Sequence, residues 1–578
     1  MPTGASDGDA SGDIGLVARR SIEDMRPDQN TAAVAPEARR ALQHWVLATA
    51  VVNFDLDRGP DVEFLYPPLA ISQAEKDNIA FSAFPDTSVF EQGTLVFSWR
   101  VREVPGTAEA EAEADAAAAD AARASGAADA VAAAPRAPAA QSNSRSTSYI
   151  YGYSFFVQRA DPSVRRSYTQ KSLVILTHLP YVALFSKVVD KVGSLYFELG
   201  MPVLESFVQE VGRWPLPESG ATIELPLFGA RFSVALPHGQ EAQRPWDGQE
   251  TILASVPTAS FHATLHAVVS SLWLLWEILI LGEPLLVVAG DPRTASDAVW
   301  HLLDLIRPVP CAGDFRPYFH IHDYDYAALV SRNKPPAGTI LGVTNPFFLQ
   351  ACSHWPHVLH LGWRVGATRR GGAQAARFGL ETQRKRRVVK DKALLKAVSD
   401  LCSHGEHGKA NVMLRRYFAD LTERFLAPLN RYVASLVPDL SSADAQMRPF
   451  SVPDFIASLS VHSTPLPMRA RPLPATTRNA LYTDFLRSPN FSLWLQVRVA
   501  AVEEEQWQRR AAALTVPRDH LDNERLAGEI DVLEAQLARV QRSSSGLRWL
   551  SGVSPTYSLR RKRSALRAQL AALRKQGT

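Results

Sequence analysis

From Trp45 onward, hydrophobic positions first recur in the short runs of a sheet. Trp45 to Phe54 is strand-like, Asp57-Arg58-Gly59-Pro60 is a turn signal, and Val62 to Tyr66 is the return strand of a hairpin. A short helical stretch falls around Glu75 to Phe81, and strands are expected over Thr94 to Val101, Tyr149 to Gln158 and Leu173 to Leu179. Val182 to Phe197 and Pro202 to Val211 then take helical spacing. The order ββαβββαα is that of a small longin-like module, a sheet with helices on it.

The most apolar stretch is Phe261 to Gly290, FHATLHAVVSSLWLLWEILILGEPLLVVAG. Thr264 to Leu281 contains a single charge, Glu277, and reaches the length at which a membrane span comes into question. Stop signals divide it instead. Gly282 stands where a helix C-cap glycine would, Pro284 follows, and Leu285 to Ala289 is a short apolar strand. Glu277, His262 and His266 would each be costly in lipid. The stretch therefore reads as a buried helix followed by a buried strand.

The alternation continues beyond it. Val299, Leu302, Leu303 and Ile306 share a helix face that Pro308 ends, Thr339 to Val343 is a buried strand, and Val358 to Leu361 is the next. Between the last two, Asn345-Pro346 reads as a helix start, with Asn as N-cap and Pro first in the helix. Strands separated by helices predict an open parallel sheet covered on both faces. From about residue 374 the strands stop. Leu414, Phe418, Leu421, Phe425, Leu429, Tyr432 and Leu436 form one helical stripe with a kink expected at Pro428, and helices are expected around Pro453 to Leu459 and Ala480 to Ala500. The Pro- and Gly-rich segment Pro215 to Gly248 reads as a connection.

Three segments have other patterns. Residues 1–40 lack periodicity and read as disordered. Residues 104–147 are rich in Ala, Glu, Asp and Ser; from Glu103 to Ala140 seven acids face two arginines, a net of −5, the composition of a disordered acidic insertion between neighbouring strands. In the tail, residues 520–578, Leu526, Ile530, Leu533, Leu537 and Val540 make a short coiled-coil seam, and nine Lys or Arg with no acid follow Gln541. The formal net charge of +3 over 578 residues hides this polarity. The tail, with Arg560, Arg561, Lys562 and Arg563 at its centre, suits an anionic membrane or an acidic partner, and its seam suits self-association. A second basic run, Arg384-Lys385-Arg386-Arg387, reads as a solvated linker.

Composition, at 46% hydrophobic and 21% charged, is that of a protein with large cores. Cys311, Cys352 and Cys402 are far apart and make no CxxC, so neither a disulfide framework nor a cysteine-based zinc site is expected. No basic-then-apolar leader opens the chain, and the expected location is cytoplasmic. No phosphate loop, strand-linked GxGxxG, GxSxG elbow or HExxH is present. His262 and His266 stand four apart on a helix, but no third ligand lies at suitable spacing; His320-Ile321-His322-Asp323 reads as hydrogen-bonded strand-end histidines. No cofactor or metal is expected, nor nucleic acid, since no recognition module appears.

The longer strings resemble one family. FRPYFHIHD (Phe315 to Asp323), ILGVTNPFF (Ile340 to Phe348), SHWPHVLHLG (Ser353 to Gly362), LRRYFADLTERFLAPLNRYVASLVP (Leu414 to Pro438), FLRSPNF (Phe485 to Phe491) and VGRWPLP (Val211 to Pro217) are similar to DENN-domain proteins of the DENN domain-containing protein 6 subfamily. The resemblance implies an upstream longin-like DENN module over 41–228, a central α/β DENN domain over 249–370 and a downstream helical DENN region over 374–500. It also implies a guanine-nucleotide exchange factor for a Rab-family small GTPase, peripherally associated with recycling endosomes and doing no covalent chemistry. A non-catalytic scaffold and a GTPase-activating protein are the other readings. The GTPase is expected against the longin-like and central modules together. Candidate contacts are Asn345, Pro346, Phe347 and Phe348, at a strand-to-helix junction, and His322, Asp323 and Asp325, in a polar loop beside a strand.

Overall fold

The computed structural model describes residue 39 and residues 41–514, except 56–57, 87–92, 104–148, 161–167, 240–250, 332, 364–375, 438–446 and 470–472. The expectations for 1–40, for the acidic insertion and for the coiled-coil tail with Arg560, Arg561, Lys562 and Arg563 fall outside the described residues or almost wholly so.

The first sheet contains β1 (Ala48–Asp55), β2 (Gly59–Tyr66), β3 (Gly93–Arg102), β4 (Tyr149–Ala160) and β5 (Tyr168–Thr177) in the order β2-β1-β5-β4-β3. Every pairing is antiparallel. The period of two splits its side chains between two cores. Val51, Tyr153, Phe155, Leu173 and Ile175 face α2 (Val182–Leu199) and α3 (Met201–Val211). Ala50, Val52, Phe156, Val174 and Leu176 face the other way, with Ile79, Ala80 and Ala83 at the end of α1 (Gln73–Ser82). Ser72 and Glu75 start α1 as a capping box.

Pro215 to Gly248 is more than a connection. β6 (Thr222–Leu227) and β7 (Ala230–Ala235) form a hairpin, and β8 (Ile252–Leu253) adds a parallel third strand. Phe228 and Gly229 turn the hairpin with positive φ, 47° and 74°. Leu225, Leu227 and Val234 bury against the helices of the first sheet, so the hairpin extends that core.

The Phe261–Ile280 run is long and apolar enough to pass for a membrane span by length and composition. It folds as three pieces inside the core: α4 (Phe261–Leu265), a 3₁₀ turn His266–Ser271, and α5 (Leu272–Ile280). β-branched Val268-Val269 followed by Ser270-Ser271 is a poor helix sequence, and the tighter turn falls there. Gly282 has φ 63°, its N–H reaches Leu279 O, and Glu283 N–H reaches Ile278 O, a Schellman stop where the sequence placed one.

The second sheet has the order β10-β11-β9-β12-β13, from β9 (Leu285–Ala289), β10 (Phe315–Arg316), β11 (Ile340–Val343), β12 (His357–Trp363) and β13 (Arg377–Thr382). Four strands are parallel, and the middle ones, β9 and β11, are wholly buried, as apolar runs under two layers should be. The fifth corrects the expectation that strands stop at 374. Strand β13 pairs antiparallel on the edge, with Leu359 opposite Leu380, and carries only two apolar side chains, Phe378 and Leu380, among exposed and half-exposed residues, which leaves a weak hydrophobic signal. Between the sheets lies α6 (Pro292–Leu305), with Asp291 as its cap. Val299 and Leu302 belong to the core of the second sheet, whereas Trp300 belongs to that of the first and donates to Ser98 Oγ on β3 at 2.9 Å.

After β13 come α9 (Lys392–Ser403), α10 (His407–Leu436), α11 (Val452–His462), α12 (Pro474–Leu486) and α13 (Pro489–Leu514); α7 (Tyr326–Leu329) and α8 (Phe347–Ala351) are single turns within the second sheet's connections. Helix α10 continues through buried Pro428, and the single helix expected over Ala480 to Ala500 is two, broken at Arg487-Ser488 ahead of Pro489.

Candidate functional site

The segment Asp314–Asp325 leaves β10, crosses to the first sheet and returns. Arg316 is fully buried, and its Nε and Nη2 hold Asp314 at 2.9 Å each. The same guanidinium meets Asp325, lies 3.6 Å from Asp323, and donates to Arg100 O of β3 at 3.2 Å. Arg102 of β3 also pairs with Asp325. Arg100 reaches Asp314 at 3.0 Å while its guanidinium lies between the rings of Tyr149 and Phe315, 3.6 and 3.7 Å away. Burial works against charge on Arg316, but Asp314 and Asp323 outweigh it and raise its pKa. Asp314 would be raised by burial, yet Arg316 and Arg100 hold it below the usual carboxylate range. Asp323, the most distant partner of Arg316, is pushed up to about 6 by burial.

Asp323 and Asp325 therefore do not form an exposed polar loop. They are 5% and 3% exposed, inside a charge cluster that joins the two sheets. No sequence pattern revealed this, because Arg102 stands 223 residues from Asp325. His322 is exposed and stacks on Phe81 of α1 with ring centroids 4.3 Å apart. Its neighbour His320 is buried against Ser82 Oγ at 3.0 Å, and burial pushes its pKa down to about 3.

A second strip of the same joint follows β11. Gly342 lets the Pro317–Phe319 backbone lie close: Phe319 N–H donates to Gly342 O at 2.8 Å, and a Cβ at Gly342 would stand 2.1 Å from Pro317 O. Tyr318 OH donates to Phe84 O at 3.1 Å and accepts from Asp86 N–H at 2.6 Å. Thr344 Oγ1 donates to Asp86 O at 3.2 Å, and Asn345 Nδ2 to Asp86 Oδ2 at 3.0 Å. Asn345 Oδ1 accepts from Phe347 N–H at 3.0 Å, but the helix, one turn long, starts one residue later than expected, with Pro346 at the cap position and Phe347 first. The two phenylalanines part company. Phe348 is fully buried beside Phe319 and Tyr326, and Phe347 is 49% exposed next to exposed Pro346.

Asn345, Pro346, Phe347 and His322 thus lie on a surface that straddles both sheets along Phe81–Asp86, whereas Phe348, Asp323 and Asp325 belong to its support. The basic run also changes meaning. Arg384 pairs with Glu283, Arg387 with Asp484 at 2.7 Å, and the N–H groups of Arg387 and Val388 donate to Glu277 Oε1 at 2.8 and 2.7 Å. It is an internal fastening of the α5–β9 unit to α12, where a solvated linker was expected. Glu277, the charge within the apolar run, is held there with its pKa raised by burial.

Residues 46–201 match the family described as transport protein Avl9. Human Protein DENND6B is 33% identical over 499 residues, which cover 80% of each chain. Protein DENND6A of Gallus gallus is 32% identical over 482 residues, 78% of this chain and 79% of that one. The Dictyostelium discoideum protein described as a DENND6 homolog is 26% identical over 543 residues. At that identity and coverage, the chain belongs to the DENND6 family.

Proposed function

We propose that the chain is a guanine-nucleotide exchange factor for a Rab-family GTPase in endosomal traffic, and that Asn345, Pro346, Phe347 and His322 meet the GTPase. The observation that carries this reading is Phe347, an aromatic ring half in solvent on a turn fastened to both sheets. A rigid aromatic anchor at the carboxyl end of a parallel strand is well placed to seat against a mobile segment of another protein. In this reading residues 41–228 and 249–370 are the upstream and central DENN modules, 374–500 is the downstream one, and the basic tail meets anionic membrane.

Exchange needs no catalytic side chain here, because the GTPase supplies its own phosphate loop and magnesium site. The factor binds the nucleotide-free form more tightly and shifts the population by that difference. A 1000-fold acceleration of GDP release corresponds to about 4 kcal/mol at the barrier. An activating role would need an arginine free to reach the nucleotide. The arginines of the joint, Arg100, Arg102 and Arg316, are each engaged by carboxylates, which favours exchange over activation.

The test is release of labelled GDP, with GTP hydrolysis in parallel, from a panel of Rab proteins and the purified full chain. Stimulated release from at least one Rab is expected, and Phe347→Ala should slow it at least about tenfold. Binding without release would identify a scaffold, stimulated hydrolysis an activating protein, and either would overturn the proposal.

A further inference from the structure

We propose a zinc site formed by His262, Cys402 and His407, fastening α4 to the turn between α9 and α10. The sequence sets His262 and His266 at helical spacing; the fold ends the helix between them and supplies His262 with other partners. Helix α4 ends at Leu265, and His266 turns its Nδ1 to Ala263 O at 3.0 Å. His262 instead meets residues about 140 positions away: Cys402 Sγ lies 3.3 Å from its Nε2 and 3.6 Å from its Nδ1. Taking one donor atom from each of His262, Cys402 and His407, all lie within 4.8 Å of one another.

These distances suit a metal. With zinc–sulfur and zinc–nitrogen bonds of about 2.3 and 2.0 Å, a tetrahedral ion holds neighbouring donors about 3.3–3.6 Å apart. The Cys402–His262 pair already has that separation, and the exposed ring of His407 closes the third edge by rotating. The set is thiolate and imidazole with no carboxylate, which selects zinc over magnesium or calcium. Exposed His266 stands beside the set, its ring centroid 6.2 Å from that of His262.

The backbone around the site is fixed. Cys402 lies in the last turn of α9 and His407 is the first residue of α10, with Gly405 between them at φ 77°. Gly405 N–H donates to Cys402 O at 3.1 Å and Glu406 N–H to Leu401 O at 2.9 Å, the two bonds of a Schellman motif. Phe261 N–H donates to Asn411 Oδ1 at 2.8 Å, tying the start of α4 to α10. Three donors from three fixed elements converge where a simple thiol–imidazole contact would need only two.

The test is independent of any exchange activity. The full chain, purified under reducing conditions, is titrated with zinc against a chromophoric chelator and assayed for bound metal, and cobalt is used as a spectroscopic substitute. About one zinc per chain is expected, with a thiolate-to-cobalt charge-transfer band, and zinc should slow alkylation of Cys402 at least about tenfold. Cys402→Ser and His407→Ala should abolish the band and weaken binding at least about tenfold while circular dichroism of the metal-free chain stays unchanged. No bound zinc, no band in the wild-type chain, or alkylation of Cys402 that zinc leaves untouched would each overturn the site. The alkylation and cobalt measurements use the wild-type chain and stand even if a variant fails to fold.

Discussion

The second sheet is fastened on two sides by different chemistry. Toward the first sheet the joint is charged: Arg316, Arg100, Asp323 and Asp325 are buried there, with part-buried Asp314 and half-exposed Arg102 completing the cluster. Toward the downstream helices it is aromatic: Trp273 packs on Tyr417 and Phe418, and Trp276 on Phe425, with each indole N–H bonded, to Tyr417 OH at 3.2 Å and to Thr422 Oγ1 at 2.8 Å. The apolar seam gains by area and tolerates small changes of shape. The charged one gains little net energy from its pairs, but removing one member leaves the others buried and unpaired. It therefore sets one relative placement of the two sheets, and the surface carrying Phe347 lies along that placement.

Four substitutions would sharpen or break this contrast. Arg316→Ala takes a partner from three carboxylates and leaves buried Asp323 without its arginine, while Asp314 and Asp325 keep Arg100 and Arg102; it should lose about 3–5 kcal/mol in chemical denaturation, with poor soluble yield; a loss below about 1 kcal/mol would mean that water reaches the cluster. Trp276→Phe keeps most of the apolar contact and drops one hydrogen bond. Thr422 Oγ1 still donates to Phe418 O, so about 1 kcal/mol should go. If both variants cost the same, the two seams are alike and the contrast fails.

The third concerns pH. Burial depresses the pKa of His320 to about 3 and that of His301 to about 4, so both are neutral in the fold. Their contribution is present above the unfolded value of about 6.5 and is lost as pH falls through 4 and 3, with each proton worth up to about 1.4 kcal/mol per pH unit. Asp323, raised to about 6, works in the opposite direction, losing its contribution as pH rises through that value. Asp297, raised by burial to about 7, adds to Asp323, and His360, lowered by burial to about 4, adds to the other two histidines; the three histidines outweigh the two acids, so denaturation midpoints should fall between pH 6.5 and 4, and His320→Gln should flatten that limb. The smallest effect on stability belongs to Phe347→Ala, within about 0.5 kcal/mol, because half the ring is already in water. A large stability loss there would make Phe347 part of the support and remove it from the contact surface.

What the sequence revealed follows from where the signals lie. Strands β4 and β9 announce themselves as continuous apolar runs and helix α2 by its periodicity, and Gly282 marks its helix end by local chemistry alone. Strand β13 and the β6–β7 hairpin carry alternating or mostly exposed polar residues, so their pairing depends on a neighbour already in place. The candidate site was half legible. Asn345 and Phe347 sit at a junction that Asn-Pro predicts, but the roles of Asp323 and Asp325 depend on Arg316 and on an arginine of the other sheet. Burial of an acid is decided by partners that spacing along the chain does not show.

Helix α6 gives one further consequence. Ala295, Val299 and Leu302 complete the hydrophobic interior of one sheet while Trp300, one residue from Val299, completes that of the other. Separating the sheets would strand the helix on one of them with a tryptophan exposed, so neither half has a self-sufficient interior. Upstream and central segments should then melt in one cooperative transition, with calorimetric and van't Hoff enthalpies in agreement for that unit. A fragment cut between residues 235 and 285 should yield two aggregation-prone pieces in place of two domains.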